Sequence, residues 1–269
     1  MQGYSNLGKR GVNSSCSCPT HLTYGTIDLH IRKLRAIFHS AGRQGEWQSA
    51  LYLGNPASSD EVKSYLKAVT AEQIKVGKTP KQAVPLFLPK LHTISRHINS
   101  KITVPENKGT DLYVLARDQA VLKVLFFGGD RGSDLGMVKT SEILRFPSDG
   151  LLFNHVWWKS LQDGSSNMFG IRRYPNPYVC PVAAIESYVA VCQKLEIDIS
   201  RGYLFRTTNS EGDIVDKPLV GNTIQQRLKH YFKEMNADEG ESVHSLRAGC
   251  AITLALSGAQ LADVMGHVG

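Results

Sequence analysis

The stretch at residues 116–136 is ARDQAVLKVLFFGGDRGSDLG, which joins a largely apolar run to a group of charged residues. The run from Val121 to Phe127 has the composition of a buried helix, and the pair Gly128-Gly129 ends it. Arg131 follows just past the glycines, with Asp134 three residues further on. The pattern predicts a buried helix with these two charged residues immediately beyond its C-terminal end.

Downstream of this stretch the sequence changes to short β-rich runs and then returns to helical patterning. LRF, GLLFNHVWW and NMFGIRR lie between residues 143 and 173, separated by the turn-forming PSDG and SLQDGSS. Helical periodicity resumes at Pro181, after Asn222, and from His244 to Leu256, and AQLADVM forms one more short helix. The predicted fold class is therefore mainly α with a small antiparallel sheet, an α+β architecture.

Upstream of this stretch the sequence predicts an all-helical module. One helical pattern begins near Thr23, a second is capped by Asp60, and a third starts after Pro89. The polar stretch KITVPENKGTDL then interrupts the apolar periodicity. The predicted divisions are a flexible leader at 1–20, a helical module at 21–100, a linker at 101–112 and a second domain at 113–269.

Composition places the chain among soluble intracellular proteins. It has 269 residues, 42% of them hydrophobic and 20% charged. No apolar run approaches the roughly 20 residues that span a bilayer, and the N-terminus has no signal-peptide core. The five cysteines are an odd number, which argues against a disulfide framework. Cys16, Cys18 and His21 resemble half a zinc site, but no second ligand pair follows at finger spacing, so no metal is predicted.

The positive charge of the chain lies in its N-terminal part. The net charge is +7, but residues 1–110 hold 15 Lys and Arg against 6 Asp and Glu, while residues 111–269 hold 16 against 18. A basic module joined to a near-neutral one favours a polyanionic partner, with double-stranded DNA as the candidate. Arg32, Lys33 and Arg35 on the first helix are candidates for phosphate contacts, and a merely solvated helix face is an equal alternative.

Four features occur in an informative order along the chain: Arg131 with Asp134, then Lys159 beside a strand turn, then HSLR with His244 and Arg247, then Gly266-His267. Each is common in unrelated proteins, but their order and spacing together are not. Two guanidinium groups can hold the oxygens of a phosphodiester under attack. A lysine can protonate the leaving oxygen and a histidine can move protons near neutral pH, without metal or ATP.

These motifs resemble those of the tyrosine recombinase (phage integrase) family. The residues around them are more similar to those of recombinases of eukaryotic mobile elements than to those of phage enzymes. The resemblance implies DNA recombination or integration by strand breakage and rejoining through a phosphotyrosine intermediate, with no cofactor and with self-association into a tetrameric synapse on DNA. It implies a nuclear location in a eukaryote and a core-binding (SAM-like) domain at residues 21–100. Asp134 replaces the family's usual Glu and has a supporting role. The catalytic residues that the resemblance implies are Arg131, Lys159, His244, Arg247 and His267.

One departure from the family concerns the nucleophile. The family's tyrosine follows the last histidine by about nine residues, whereas every tyrosine here, from Tyr4 to Tyr231, precedes His244 and the sequence ends at Gly269. We therefore expect a fragment or a decayed copy that binds DNA and does not cleave it alone. The main alternative is a non-catalytic DNA-binding remnant. A helical metal-dependent hydrolase using His244 and His267 ranks lower, because no carboxylate–His spacing of a metal site accompanies them.

Overall fold

The structure, a computed structural model, describes residues 22–77, 84–146, 149–155 and 167–268. These ranges hold helices and strands in the mainly α arrangement that the sequence predicts, with antiparallel sheets. The helices are α1 (Tyr24–Ser40), α2 (Asp60–Lys75), α3 (Leu88–Ile102), α4 (Gly109–Gly128), α5 (Gly132–Leu135), α6 (Pro181–Lys194), α7 (Gly221–Glu234), α8 (Val243–Leu256) and α9 (Leu261–Val268). The strands are β1 (Ile143–Phe146), β2 (Gly150–His155), β3 (Asn167–Arg172), β4 (Arg206–Thr208) and β5 (Ile214–Pro218).

The chain divides into two compact units, Met1–Gln82 and Ala83–Gly269. The boundary predicted at residues 101–112 is therefore wrong, because α3 belongs to the second unit. Its apolar residues Leu91, Ile94 and Ile98 lie in the same core as those of α4. Residues 101–112 hold the end of α3, a short connection and the first turn of α4.

Ion pairs also tie α3 to the second unit. His97 Nε2 lies 2.9 Å from a carboxylate oxygen of Glu234 on α7, and Lys101 pairs with the other oxygen of that carboxylate. Lys90 pairs with Glu239 at 2.9 Å and with the buried Glu241.

Helix α3 begins at Leu88, not after Pro89 as predicted, because a proline in the first turn removes only an N–H that has no helical partner.

The first unit is built on α1 and α2. Thr23 caps α1, since its hydroxyl accepts a hydrogen bond from Thr26 N at 3.4 Å. The cap of α2 is Ser59 and not Asp60, because Ser59 has extended backbone and its hydroxyl accepts from Val62 N, while Asp60 is already helical. Gln73 on α2 binds the start of α1, accepting from Tyr24 N at 2.9 Å.

Helix α4 is the centre of the second unit. It is buried on nearly all sides and packs against α3, α6, α8 and β3. This explains why the apolar residues of α4 are not confined to one face, because a helix surrounded by other elements has no solvent face to keep polar. Helices long and apolar enough to cross a membrane are absent from the described ranges.

The predicted antiparallel sheet is present, in the order β1-β2-β3. Phe153 on β2 pairs with Ile143 on β1 and with Phe169 on β3. The rings of Phe153 and Phe169 stack with centroids 5.0 Å apart, and both are buried against the end of α4. A second antiparallel pair, β4-β5, was not predicted from the sequence.

Candidate phosphate-binding site

The glycine pair at the end of α4 allows two other elements to approach closely. Gly129 has a φ of +60°, so the backbone leaves the helix in the left-handed region that favours glycine. A Cβ at Gly128 would lie 2.6 Å from the ring of Phe169, and one at Gly129 would lie 2.6 Å from Val268. The sheet and α9 therefore both meet the point where the candidate site begins.

Arg131 lies directly after this turn, between two buried carboxylates. Asp130 accepts a hydrogen bond from Arg131 N at 2.7 Å, and Asp134 Oδ2 lies 3.6 Å from Arg131 Nη1. Asp134 has no exposed surface, and burial raises the pKa of its carboxyl group. The Arg131 side chain is 28% exposed. Solvent therefore reaches part of the Arg131 side chain but not the two carboxylates beside it, and the guanidinium Nη1 is itself buried.

Arg247 brings a second guanidinium group to the same place from the N-terminal end of α8. Its Nη1 donates a hydrogen bond to Gly129 O at 3.0 Å. Burial lowers the pKa of Arg247, and repulsion from Arg131 lowers it further, while Asp130 and Asp134 counteract both effects. The two arginines, separated by 116 positions in the sequence, are thus neighbours at one half-buried site.

His267 approaches the same end of α4 from α9. Its Nε2 lies 2.8 Å from Phe127 O in the last turn of α4, and its ring meets the edge of Phe169 with centroids 6.3 Å apart. A carbonyl oxygen only accepts, so Nε2 carries the proton and Nδ1 is the nitrogen left for other chemistry.

The structure records no contact between His244 and this group. His244 lies one helical turn before Arg247 on α8 and is exposed. Within the described part of the chain its imidazole makes no hydrogen bond or ion pair. Lys159 lies outside the described residues, as do Cys16, Cys18 and His21.

Sequence reasoning missed two buried residues of the site, Asp130 and His155. His155 ends β2, and its Nε2 lies 3.2 Å from Asp130 Oδ2. Its ring stacks on Phe169 with centroids 5.3 Å apart. Asp130 was visible as the residue before Arg131, but the sequence holds no spacing signal for a histidine at the end of a strand.

The three basic residues proposed on α1 have different surroundings. Arg32 forms an ion pair with Asp28 at 2.7 Å and remains 72% exposed. Lys33 is exposed. Arg35 is half-buried, and its Nε donates to Ala57 O at 2.9 Å, so this side chain holds the loop before α2 in place.

For the residues that the structure describes, no group of three or more His, Cys, Asp and Glu side chains is arranged to hold a metal ion. The buried cysteines Cys180, Cys192 and Cys250 are free thiols.

Comparisons of the sequence give limited information. A family model described as the ALOG domain matches residues 1–71, which include α1 and most of α2. This match covers less than half of the chain. A comparison with curated proteins finds no match.

Comparisons of the structure show the fold. The Tn1549 transposon integrase in complex with transposon right end DNA is 15% identical, with a TM-score of 0.55 over 92% of this chain and 71% of that one. A single-residue variant of this integrase, in complex with a circular intermediate DNA, is 17% identical, with a TM-score of 0.53 over 92% of this chain and 73% of that one. The XerH site-specific recombinase bound to its difH substrate is 14% identical, with a TM-score of 0.51 over 70% of this chain and 47% of that one.

The chain therefore spans about half the length of the XerH recombinase that it matches. The protein has an α+β fold resembling the catalytic domains of tyrosine recombinases. At these identities the likeness is one of fold alone.

Proposed function

We propose that the second unit binds a DNA phosphodiester between Arg131 and Arg247, as part of metal-independent DNA strand exchange through a phosphotyrosine intermediate. The observation that carries this proposal is the pairing of two half-buried guanidinium groups from distant parts of the sequence. Burial lowers the pKa of Arg247 and repulsion from Arg131 lowers it further, and an anion placed between the two arginines would relieve that repulsion.

The buried carboxylates suit this role. Asp130 and Asp134 are 1% and 0% exposed, so both carboxylates are withdrawn from solvent, whereas the Arg131 side chain is 28% exposed. Asp134 then has a supporting role, because its carboxylate lies 3.6 Å from Arg131 and holds that side chain at the site. Preorganised donors of this kind stabilise the charge that develops on phosphate oxygens during displacement.

The remaining family residues take their roles from the resemblance. Lys159 would protonate the leaving oxygen, and His244 and His267 would assist with proton movement and phosphate binding. For His267 the bond to Phe127 O occupies Nε2, so Nδ1 is the nitrogen that would take part.

The nucleophile is not assigned to a tyrosine of residues 1–269. Tyr113, Tyr188 and Tyr231 are fully buried, and burial raises the pKa of each hydroxyl. Tyr188 donates to Leu204 O and Tyr231 to Asp118, both at 2.7 Å. With a suicide DNA substrate we expect this polypeptide to form no covalent adduct. A covalent protein–DNA band on a denaturing gel would mean that another of its tyrosines attacks DNA.

The proposal is tested by Arg247→Ala with Arg201→Ala as the matched control. Both variants remove one positive charge from the second unit, but the Arg201 side chain is 89% exposed. We expect Arg247→Ala to weaken binding to duplex DNA about tenfold and to lower the salt slope by about 0.9, the effect of one lost phosphate contact. Arg201→Ala should leave the DNA affinity and the salt slope nearly unchanged.

Equal losses in the two variants would show that net charge alone matters and would contradict the phosphate site. Thermal unfolding of both variants controls for folding, since Arg247 also donates to Gly129 O.

The first unit is proposed to add duplex DNA contacts through Arg32 and Lys33, as a core-binding domain would. Self-association on DNA into a tetrameric synapse is likewise proposed from the family resemblance. Sedimentation of the chain with and without a duplex would test it, because assembly should then depend on DNA.

A further inference from the structure

A cavity of about 340 Å³ lies in the second unit among α3, α4, α6 and the segment before α6. We call it the α4–α6 cavity. Six of the eleven described residues that line it are apolar, and the polar ones are Asn99, Gln119, Lys123, Tyr178 and Ser187. Its volume is within the range of small-molecule sites, which are mostly apolar with a few placed polar groups.

Among the lining residues that the structure describes, Lys123 is the charged one. It is 4% exposed and makes no hydrogen bond or ion pair with any described residue. No aspartate or glutamate is among the described lining residues. Burial lowers the pKa of its amine to about 8. A buried amine without a counterion opposes folding, and an anion in the cavity would offset that cost.

Gln119 offers a second unsatisfied group one helical turn earlier on the same face of α4. The residue is 7% exposed, and its Nε2 donates to Ser95 O at 2.7 Å. Because a carbonyl oxygen only accepts, this bond fixes the amide orientation. Its Oε1 is buried and has no hydrogen-bond partner among the described residues. The cavity thus combines a cationic donor with a neighbouring acceptor.

The residue Tyr178 is 43% exposed at the edge of the cavity and has basic neighbours. The ring of His92 lies 5.5 Å from the Tyr178 ring, and the guanidinium carbon of Arg96 lies 6.0 Å from it. Positive charge therefore lies both inside the cavity and beside it.

We propose that the α4–α6 cavity binds a small organic acid that carries an apolar body and a hydroxyl group next to its carboxylate. The carboxylate pairs with Lys123, the hydroxyl donates to Gln119 Oε1, and the apolar body contacts the aliphatic walls. This site is separate from the Arg131–Arg247 site and does not depend on the proposed DNA chemistry.

The test uses three probes with the same phenyl body on the full chain. Mandelate has both the carboxylate and the hydroxyl, phenylacetate lacks the hydroxyl, and 1-phenylethane-1,2-diol lacks the charge. Isothermal titration should show that mandelate binds, that phenylacetate binds several-fold more weakly, and that the diol binds about tenfold more weakly or not at all. Equal binding of all three, or no binding of mandelate at millimolar concentration, overturns the proposal.

Variants assign the site. Lys123→Met keeps a long unbranched side chain and removes the charge, so mandelate affinity should fall about tenfold. Ser187→Phe narrows the cavity from an exposed position and should also abolish binding. Lys194→Met, the same substitution at an exposed position of α6, should bind as the wild type does. If Lys123→Met and Ser187→Phe both retain wild-type affinity, the proposal is wrong.

Discussion

At the scale of single residues, Lys123 gives a prediction for stability as well as for binding. Its pKa falls from about 10.5 to about 8 on folding. The unfolded chain therefore binds more protons than the folded one between pH 8 and 10.5, so stability rises with pH across that window. Below pH 8 the charged amine costs about 3 kcal/mol at most, since each unit of pKa is about 1.4 kcal/mol.

We expect Lys123→Met to raise the free energy of unfolding at pH 7, by up to about 3 kcal/mol. The gain should shrink as pH rises from 8 to about 10.5, where the wild-type lysine becomes neutral in both states. Urea denaturation at a series of pH values measures this. Lys194→Met is the control and should show no pH-dependent difference. A gain that is the same at pH 7 and pH 10 would contradict the explanation by burial.

The candidate site shows which residues a sequence can reveal. Arg131 and Arg247 were predicted from short motifs, and the structure makes them neighbours. Asp130 and His155 were missed because their pairing depends on how β2 packs beside α4, which no local spacing encodes.

At the scale of elements, the packing of α8 depends on a glycine. A Cβ at Gly249 would lie 1.7 Å from Leu86 O, which is backbone and cannot move aside easily. Leu86 N also donates to Ser245 O of α8 at 2.9 Å, so the chain before α3 lies directly along this helix. Gly266 in α9, by contrast, has nothing within 4 Å of its Cβ position.

The same substitution in the two helices should therefore have opposite effects. Gly249→Ala should lower the free energy of unfolding by several kcal/mol, about 2 or more, because backbone must shift. Gly266→Ala should be neutral or stabilising by up to about 1 kcal/mol, since alanine favours helix. Chemical denaturation of the two variants measures both effects. Similar losses in both would contradict the close approach of Leu86 to α8.

Helix α4 and the three-stranded sheet were predictable because each has a strong local pattern: an apolar run ended by two glycines, and short β-rich runs between turns. The boundary of the units was not. The apolar stripe of α3 predicts burial but does not identify the element that covers it, and the covering element is α4. The β4-β5 pair was missed because its strands are short, polar and half-exposed, so they lack the alternation that marks a strand.

At the scale of the whole molecule, charge is divided unevenly between the two units. Residues 1–82 have a net charge of +6 and residues 83–269 have +1. Duplex DNA binding that relies on the first unit should weaken steeply with salt, because each phosphate contact releases a counterion.

Paired substitutions on α1 and α2 test whether this charge is localised. Arg32→Ala with Lys33→Ala should lower the salt slope of DNA binding by up to about 2, at about 0.9 for each contact. Lys67→Ala with Lys75→Ala removes the same charge from exposed positions on α2 and should change the slope by less than half as much. Equal changes would mean that α1 is not the contacting face.

The central position of α4 also matters while the protein is being synthesised. Helix α8 packs against α4, yet it is made more than a hundred residues later. At about 5–20 residues per second, the ribosome leaves α4 without that partner for on the order of ten seconds. During this interval an apolar helix meant for the interior stands incompletely covered. The nascent chain is therefore a natural client for chaperones until α8 emerges and the two arginines meet.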